Sequence, residues 1–222
     1  MTITSFFRKL SAVFLTVLLS LTLFTVPANA FVATDYDKLL LTNECNGCDL
    51  SGVDLSGKDL YGSALLDANL SNANLSGTLL NDAKLTRANL TGADLSNAIM
   101  MGITLSEANL TDANLTHADL YNALMSKAIL SGATLTDADL ESAVISDADL
   151  THAIAQNAIL NQAILSRSNL SDGDFSGAKM RSVRLSKATL TSTHLGNADL
   201  FRAMMPNDTV YNGNYTQFGA ID

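Results

Sequence analysis

The chain has few of the residues from which most catalytic and metal sites are built. Its 222 residues include three histidines, two cysteines and no tryptophan, and aromatic residues make up only 6%. No serine, cysteine or carboxylate is spaced from the histidines as a triad or ligand set; these histidines are His117, His152 and His194. The many aspartates include no D-x-D-x-D-G calcium loop. The sequence therefore predicts no enzyme, no metal site and no cofactor site.

Positive charge is also scarce. Lysine and arginine together number 13 against 22 aspartates and glutamates, which gives a formal net charge of −9 at pH 7. An acidic surface repels both the phosphate backbone and anionic lipid headgroups. Nucleic acid and anionic membrane surfaces are therefore poor partners for this protein.

Between Leu50 and Met205 the chain has no proline, and every fifth residue is apolar without a slip of register. Leucine fills 25 of these 32 positions, and alanine stands two residues earlier in 22 of 32 cases. The other apolar residues of the series are Met100, Met125, Met180, Met205, Ile145, Ala155 and Phe175. A helix needs apolar spacings of three and four and a strand needs alternation, so a strict period of five indicates a repeat architecture.

The repeating unit is Ala-(Asp/Asn)-Leu-(Ser/Thr)-(Gly/Asn/Asp), carried from Cys48 to Asn207 without an insertion. This pattern closely resembles the pentapeptide-repeat family. The resemblance implies an all-β fold, a right-handed quadrilateral parallel β-helix in which each pentad forms one side and four pentads complete a coil. Residues 48–207 would then form about eight coils, with the leucines and alanines inside and the other three positions facing out.

A period of 20 is visible in the residues that follow each central leucine. One class of these positions contains only serine or threonine: Ser51, Ser71, Thr91, Thr111, Ser131, Thr151, Ser171 and Thr191. Another class contains neither: Tyr61, Asn81, Met101, Tyr121, Glu141, Asn161, Arg181 and Phe201. A further column alternates in charge: Asp67, Arg87, Glu107, Lys127, Asp147 and Arg167, until Lys187 breaks the order. One side of the predicted solenoid is therefore chemically different from the others.

Residues 1–30 have the pattern of a secretory signal peptide. Arg8 and Lys9 precede an apolar run over residues 10–26, and Ala28-Asn29-Ala30 is an A-x-A cleavage site. A membrane anchor is the rival interpretation, but the apolar run is short for a span and ends in a cleavage motif. The sequence favours export by the general secretory route, with the mature chain starting at Phe31 and keeping no stable membrane anchor.

Both ends of the solenoid are predicted to be capped. Residues 31–47 comprise a short helix, with Thr34 or Asp35 as N-cap, that runs to about Thr42 and is followed by a cysteine turn. Three apolar residues of this helix share the face expected to lie on the first coil: Tyr36, Leu39 and Leu40. Residues 208–222 are expected to form a loose carboxyl-terminal cap.

The two cysteines, Cys45 and Cys48, both fall on inward positions of the first coil. A lone C-x-x-C permits a structural disulfide, buried free thiols or a redox pair. There is no second C-x-x-C, no flanking histidine and no thioredoxin-like pattern, and export leads to an oxidising compartment. A structural disulfide at the cap is the favoured interpretation.

Outward apolar residues gather on the aberrant side and around the adjoining corner. The predicted partner-binding patch consists of Ile99, Met101, Tyr121, Leu124, Val144, Ile159 and Ile164. Contiguous exposed apolar surface usually marks a contact site. Drift is the alternative, since single apolar residues on a surface are normal and β-branched residues suit strands.

These features favour a non-catalytic, exported interaction module in the periplasm or thylakoid lumen, which binds an unidentified protein or a second copy of itself. Signal-bearing members with this cysteine opening resemble those abundant in cyanobacteria. The alternative is an acidic DNA mimic that modulates a type II topoisomerase, as some family members do. An ice-binding ladder is a third hypothesis, suggested by the Ser/Thr column, but that column mixes both residues and already matches the repeat pattern.

Overall fold

The structure is a computed structural model that describes residues 33–222. In this range it contains helix α1, Ala33–Thr42, and one turn of 3₁₀ helix, Thr216–Phe218. No extended strand occurs there; isolated parallel bridges instead join residues 20 apart, from Glu44↔Ala64 to Arg184↔Met204. The fold is thus a β-solenoid with four bridged sides to each turn. The signal peptide predicted for residues 1–30 lies outside the described residues.

We number the four sides by the outward residue at the centre of each bridge. Sides 1, 2 and 3 begin at Asp49, Asp54 and Asp59, side 4 begins at Glu44, and each continues in steps of 20. Side 3 is the aberrant side of the sequence. The corner between sides 3 and 4 carries the column of residues that begins at Tyr61.

The core contains the residues that the five-residue period predicts. Every fifth residue from Leu50 to Met205 is at most 2% exposed. The inward alanines are buried as well, except Ala198 in the last turn, which is partly exposed. The main chain bonds from turn to turn, as when Leu120 N–H donates to Asp139 O at 2.7 Å and Asp139 N–H donates to Ala118 O at 2.9 Å. The predicted inward register is confirmed.

The polar positions of the pentad follow from the turns at the four corners. The fifth residue of every pentad from Gly47 to Arg202 has a positive φ between 54° and 70°. Glycine, asparagine and aspartate tolerate this left-handed conformation best, which explains their frequency there. The Asp or Asn before the leucine accepts a hydrogen bond from the N–H two residues on, as Asp49 Oδ1 does from Ser51 N at 3.1 Å.

Helix α1 differs in detail from the sequence prediction. It begins at Ala33, so Thr34 and Asp35 lie in its first turn and neither is the N-cap. Asp35 Oδ2 instead accepts a hydrogen bond from Asp49 N at 2.9 Å, which ties the helix to side 1. Leu39 is buried, but Leu40 is 43% exposed, so its predicted place in the cap contact was wrong. A ten-residue helix that packs on the end of a narrow solenoid buries only one narrow face, which includes Leu39 but not Leu40.

The polypeptide after the last full turn folds back onto it. Val210 bridges Met204 in antiparallel fashion, and Ile221 bridges His194 in parallel. Tyr211, Tyr215 and Phe218 pack against the core, and the rings of Tyr211 and Tyr215 stack with centroids 6.4 Å apart. Over the range that the structure covers, no helix is long and apolar enough to cross a bilayer.

Candidate functional site

The corner between sides 3 and 4 departs most from the polar repeat. Where other corners carry serine or threonine, this one carries Tyr61, Met101, Tyr121 and, near the far end, Phe201. The corner turn directs these side chains outward, and Tyr61 and Phe201 are 59% and 61% exposed. Large apolar groups at a solvated corner are candidates for a contact surface.

Side 4 carries an apolar strip next to this corner. Leu124 bridges Val144, and Val144 bridges Ile164, so the three predicted residues stack on consecutive turns. Thr104 and Arg184 bound the strip at its two ends. Leu124 is exposed, whereas Val144 and Ile164 are half-buried. The 20-residue spacing thus brings these three residues together as expected.

Side 3 agrees with the predicted patch only in part. Leu79 bridges Ile99, and both are 37% exposed beside the corner. Ile159, however, bridges Asp139 and Lys179, and Asp119 also lies between it and Ile99. The predicted patch is therefore not continuous along side 3, because spacings of 60 residues place two other turns in between. Leu79 takes the place that the prediction gave to Ile159.

We call the joined set the corner patch; it consists of Leu79, Ile99, Met101, Tyr121, Leu124, Val144 and Ile164. A shallow groove of about 340 Å³ runs along its corner, lined by Tyr61, Asn81, Asp82, Met101, Gly102, Tyr121 and Asn122. The patch is thus apolar at its centre and has polar groups along its edge.

The polar wall of the groove is fixed by hydrogen bonds. Tyr61 Oη donates to Asp82 Oδ2 at 3.0 Å, and this bond raises the pKa of the Tyr61 hydroxyl. Asn81 Oδ1 accepts from Met101 N at 2.9 Å. The sequence patch omitted Asp82, although the step of 20 from Gly62 through Gly102 would have placed it on this corner.

The cysteines lie beneath helix α1. The structure joins their sulfurs at 2.02 Å, with the Cα atoms of Cys45 and Cys48 5.3 Å apart. Asp35, Cys45 and Cys48 bring potential ligand atoms within 4.8 Å of one another, the kind of group that can hold a metal ion. Metals bind the thiolate form of cysteine, so this group cannot serve as a ligand set while the sulfurs are bonded to each other.

The alternating charges form ion pairs along one corner column. Arg87 binds both carboxylate oxygens of Asp67, at 2.7 and 2.6 Å, and Arg167 binds those of Asp147, both at 2.6 Å. Lys127 Nζ lies 3.9 Å from Glu107 Oε1. These bonds lower the pKa of the Asp67 and Asp147 carboxyl groups. On a different corner, His117 Nδ1 lies 4.0 Å from Asp137 Oδ2, and both side chains are exposed to solvent.

Comparison with known families decides the identity of the repeat. The family model described as pentapeptide repeats matches residues 44–82, 63–102, 104–141 and 143–181, which together make up more than half of the chain. The chain belongs to the pentapeptide-repeat family. Proteins of this family are in general structural or interaction modules. Among curated proteins, no match to this pentapeptide-repeat protein is found.

Solved pentapeptide-repeat structures resemble the chain. One is HetL, which is involved in heterocyst differentiation regulation in the cyanobacterium Nostoc sp. strain PCC 7120; it is 27% identical over 82% of this chain and 100% of its own, with a TM-score of 0.28. Another is a protein from the Arabidopsis thaliana thylakoid lumen, 22% identical over 65% of this chain and 69% of its own, with a TM-score of 0.20. Full-length QnrB1, a plasmid-mediated fluoroquinolone resistance protein, is 20% identical over 72% of this chain and 92% of its own, with a TM-score of 0.33.

Proposed function

We propose that this protein is an exported, non-catalytic interaction module, a rod of eight coils whose corner patch binds a protein partner in the periplasm or thylakoid lumen. The corner patch is the single observation that carries the proposal. The partner is either another protein or a second copy of the rod.

The patch has the composition of an interface centre. Interfaces are dominated by a few aromatic and large aliphatic anchors surrounded by polar groups. Tyr121, Met101 and Leu124 supply such anchors, exposed by 37%, 41% and 44%. Asp82 and Asn122 supply polar groups at the rim. Because the side chains of the patch point away from the core, they are free to contact a partner without loosening the fold.

The export part of the proposal rests on the amino-terminal sequence. Arg8, Lys9, the apolar run and the Ala28-Asn29-Ala30 motif fit cleavage before Phe31. In an oxidising compartment, the bonded Cys45 and Cys48 would fasten helix α1 as a cap over the first coil.

The proposal is tested by affinity capture with matched variants. The double variant Tyr121→Ala/Leu124→Asp should melt like the parent but lose its partner in pull-downs from periplasmic or lumenal extract, or its self-association in sedimentation. The control is Ile129→Asp/Ile154→Asp, since these residues are each 41% exposed on sides 1 and 2, away from the patch. Equal association of the parent and both variants would refute the role of the patch.

The acidic charge is the observation that favours a topoisomerase-directed DNA mimic. A net charge of −9 suits such a mimic. Arg87, Lys127 and Arg167, however, neutralise one corner column at regular intervals and interrupt a uniformly acidic surface. Cell fractionation separates the two proposals: recovery in the cytosol together with gyrase would favour the mimic, and recovery outside it with Phe31 as the first residue would favour the exported module.

A further inference from the structure

The carboxyl-terminal end of the solenoid is covered unevenly. The tail bonds to side 1 through Ser192 N and Gly219 O at 2.7 Å, and to side 2 through Leu195 N and Ile221 O at 2.8 Å. It bonds to side 4 through Met205 N and Thr209 O, also at 2.8 Å. Side 3 of the last turn receives no such bond from any residue that the structure describes. One side of the final turn is thus an open β-edge.

The open edge presents backbone groups that are paired in every turn below it. One turn earlier, Met180 N donates to Asp199 O, Ser182 N donates to Phe201 O, and Asp199 N donates to Ala178 O, all at 2.9 Å. The equivalent groups at the edge are the N–H of Leu200, the N–H of Arg202 and the carbonyl of Ala198. None of the three has a hydrogen-bond partner within residues 33–222.

The core is also less well covered at this edge. Ala198 is the one inward alanine of the described solenoid that is partly exposed; all the others are buried. Phe201, beside it on the corner, is 61% exposed and lies under the Arg181 guanidinium at 5.8 Å. Exposed edge groups over apolar surface are a template for pairing with another chain.

We propose that this edge binds an extended segment of a partner polypeptide, which adds a further bridge to side 3 in parallel register. Recognition of this kind takes its affinity from main-chain hydrogen bonds and its specificity from alternate side chains. The site lies at the end of the rod and does not depend on the corner patch or on the proposed function.

The solenoid itself defines the segment that fits. A small apolar residue belongs over Ala198 and a large one over Leu200, as in the five preceding turns of side 3, where the first inward residue is alanine from Ala98 to Ala178. The residue between them lies opposite Asp199, whose Oδ2 already binds Arg181 Nε at 2.5 Å, so a lysine there would share this carboxylate. An aromatic residue fits opposite Phe201. The last position lies opposite Arg202, an exposed cation with no ion pair in the described structure, which favours a carboxylate. The matching segment is alanine, lysine, leucine, phenylalanine and aspartate in that order.

The pairing pattern supplies a sharp control. In the bound segment, the lysine N–H would donate to Ala198 O, and the lysine and phenylalanine carbonyls would accept from Leu200 N and Arg202 N. The leucine N–H would point to the far side of the bound segment, away from the protein, just as the Leu200 N–H now points away from the turn below it. Methylation of the lysine nitrogen therefore removes a hydrogen bond to the protein, whereas methylation of the leucine nitrogen removes none.

The experiment is a titration of the ¹⁵N-labelled protein, as isolated from cells, with the end-blocked five-residue peptide. We expect saturable shifts at the Leu200 and Arg202 amides, an affinity about tenfold lower for the peptide methylated on lysine, and little change for the one methylated on leucine. The Arg202→Glu protein should bind the parent peptide more weakly. It should bind a peptide in which lysine replaces the aspartate about as well as the parent protein binds the parent peptide.

Three outcomes would overturn the proposal. The first is the absence of saturable shifts at Leu200 and Arg202, and the second is equal binding of the two methylated peptides. The third is a dependence of these amide signals on protein concentration that the peptide does not reverse, which would assign the edge to a second copy of the chain. The double variant Tyr121→Ala/Leu124→Asp leaves this edge intact and should still bind the peptide. A failure of the corner patch to bind a partner is therefore distinguishable from a failure of the edge to bind the peptide.

Discussion

At the scale of the residue, the first inward position of the pentad shows how closely composition follows burial. Alanine usually fills it, but Ser63, Thr78, Ser168 and Thr193 do so in a few pentads and are fully buried. A buried hydroxyl is tolerated when it is hydrogen-bonded. Thr78 Oγ1 donates to carbonyls at 2.6 and 3.1 Å, and Ser168 Oγ donates to Ile145 O at 2.6 Å. Ser63 Oγ alone among the buried side chains of the described range has no partner.

Ser63→Ala should therefore stabilise the protein. The substitution removes an unpaired buried hydroxyl and restores the usual alanine, which should raise the free energy of unfolding by about 1 kcal/mol. Ser168→Ala is the matched control, because it strands the Ala148 N–H that now donates to Ser168 Oγ at 3.1 Å. It should cost about 1 to 3 kcal/mol. Denaturant unfolding of both variants measures the difference, and a destabilised Ser63→Ala protein would contradict this account.

At the scale of the element, the corner columns combine strained backbone with paired charge. The six alternating charges occupy left-handed positions with φ from 57° to 64°. Glycine or asparagine would fit that backbone with less strain. The ion pairs are exposed, so each offsets this cost only in part. The column thus serves surface charge balance more than stability.

Arg167→Gln should raise the pKa of the Asp147 carboxyl toward its ordinary value, because the side-chain bond from Arg167 is the main cause of the depression. A depressed carboxyl pKa stabilises the fold above the unfolded pKa, and this stabilisation is lost as the pH falls through the folded pKa. The free energy of unfolding of the Arg167→Gln variant should therefore fall less steeply than that of the parent as the pH is lowered. Carboxyl chemical shifts over a pH titration measure the pKa, and unfolding at several pH values measures the stability. Asp67 is the internal control for the pKa, since Arg87 still binds it. A parallel change at Asp67 would contradict the pairwise assignment.

The sequence predicted the repeating part of these elements well and their ends poorly. The period of five fixed which residues are inward, and the period of 20 predicted the Leu124, Val144 and Ile164 stack and the charge column. Neither period predicts the exposure of Leu40, the start of α1 or the uneven cover of the last turn. These features depend on contacts that occur at one end of the solenoid and are not repeated along it. The place of Ile159 was missed for a different reason: a shared side does not mean adjacent turns.

At the scale of the whole molecule, the parallel bridges of the solenoid in residues 33–222 join neighbouring turns and none that lie farther apart. Each turn bonds only to the turns before and after it, as the bridges at steps of 20 show. Stability in such a stack is approximately a sum of neighbouring interfaces. The ends therefore control local fraying, and the middle turns hold the corner patch rigid independently of the caps.

Cys48→Ser should consequently loosen one end alone. Loss of the Cys45–Cys48 bond frees helix α1 and the first turn, so the amide of Cys45, which donates to Ala64 O at 2.7 Å, should exchange faster. The amide of Leu120, in the middle of the stack, should keep its parent rate. Residue-resolved hydrogen exchange distinguishes these cases, and uniform acceleration along the chain would show that the turns are coupled globally.

The central claim is that a single register divides the chain into a core that makes the rod and an outer surface that carries its function. Leu120→Asp and Leu124→Asp test it most directly, because the same substitution is made four residues apart at side chains that are 0% and 44% exposed. Burying a charge in the stack should abolish cooperative unfolding or lower the melting temperature sharply in Leu120→Asp. Leu124→Asp should melt within about two degrees of the parent, since surface substitutions change stability little. Similar melting of the two variants, whether both stable or both unfolded, would contradict the account.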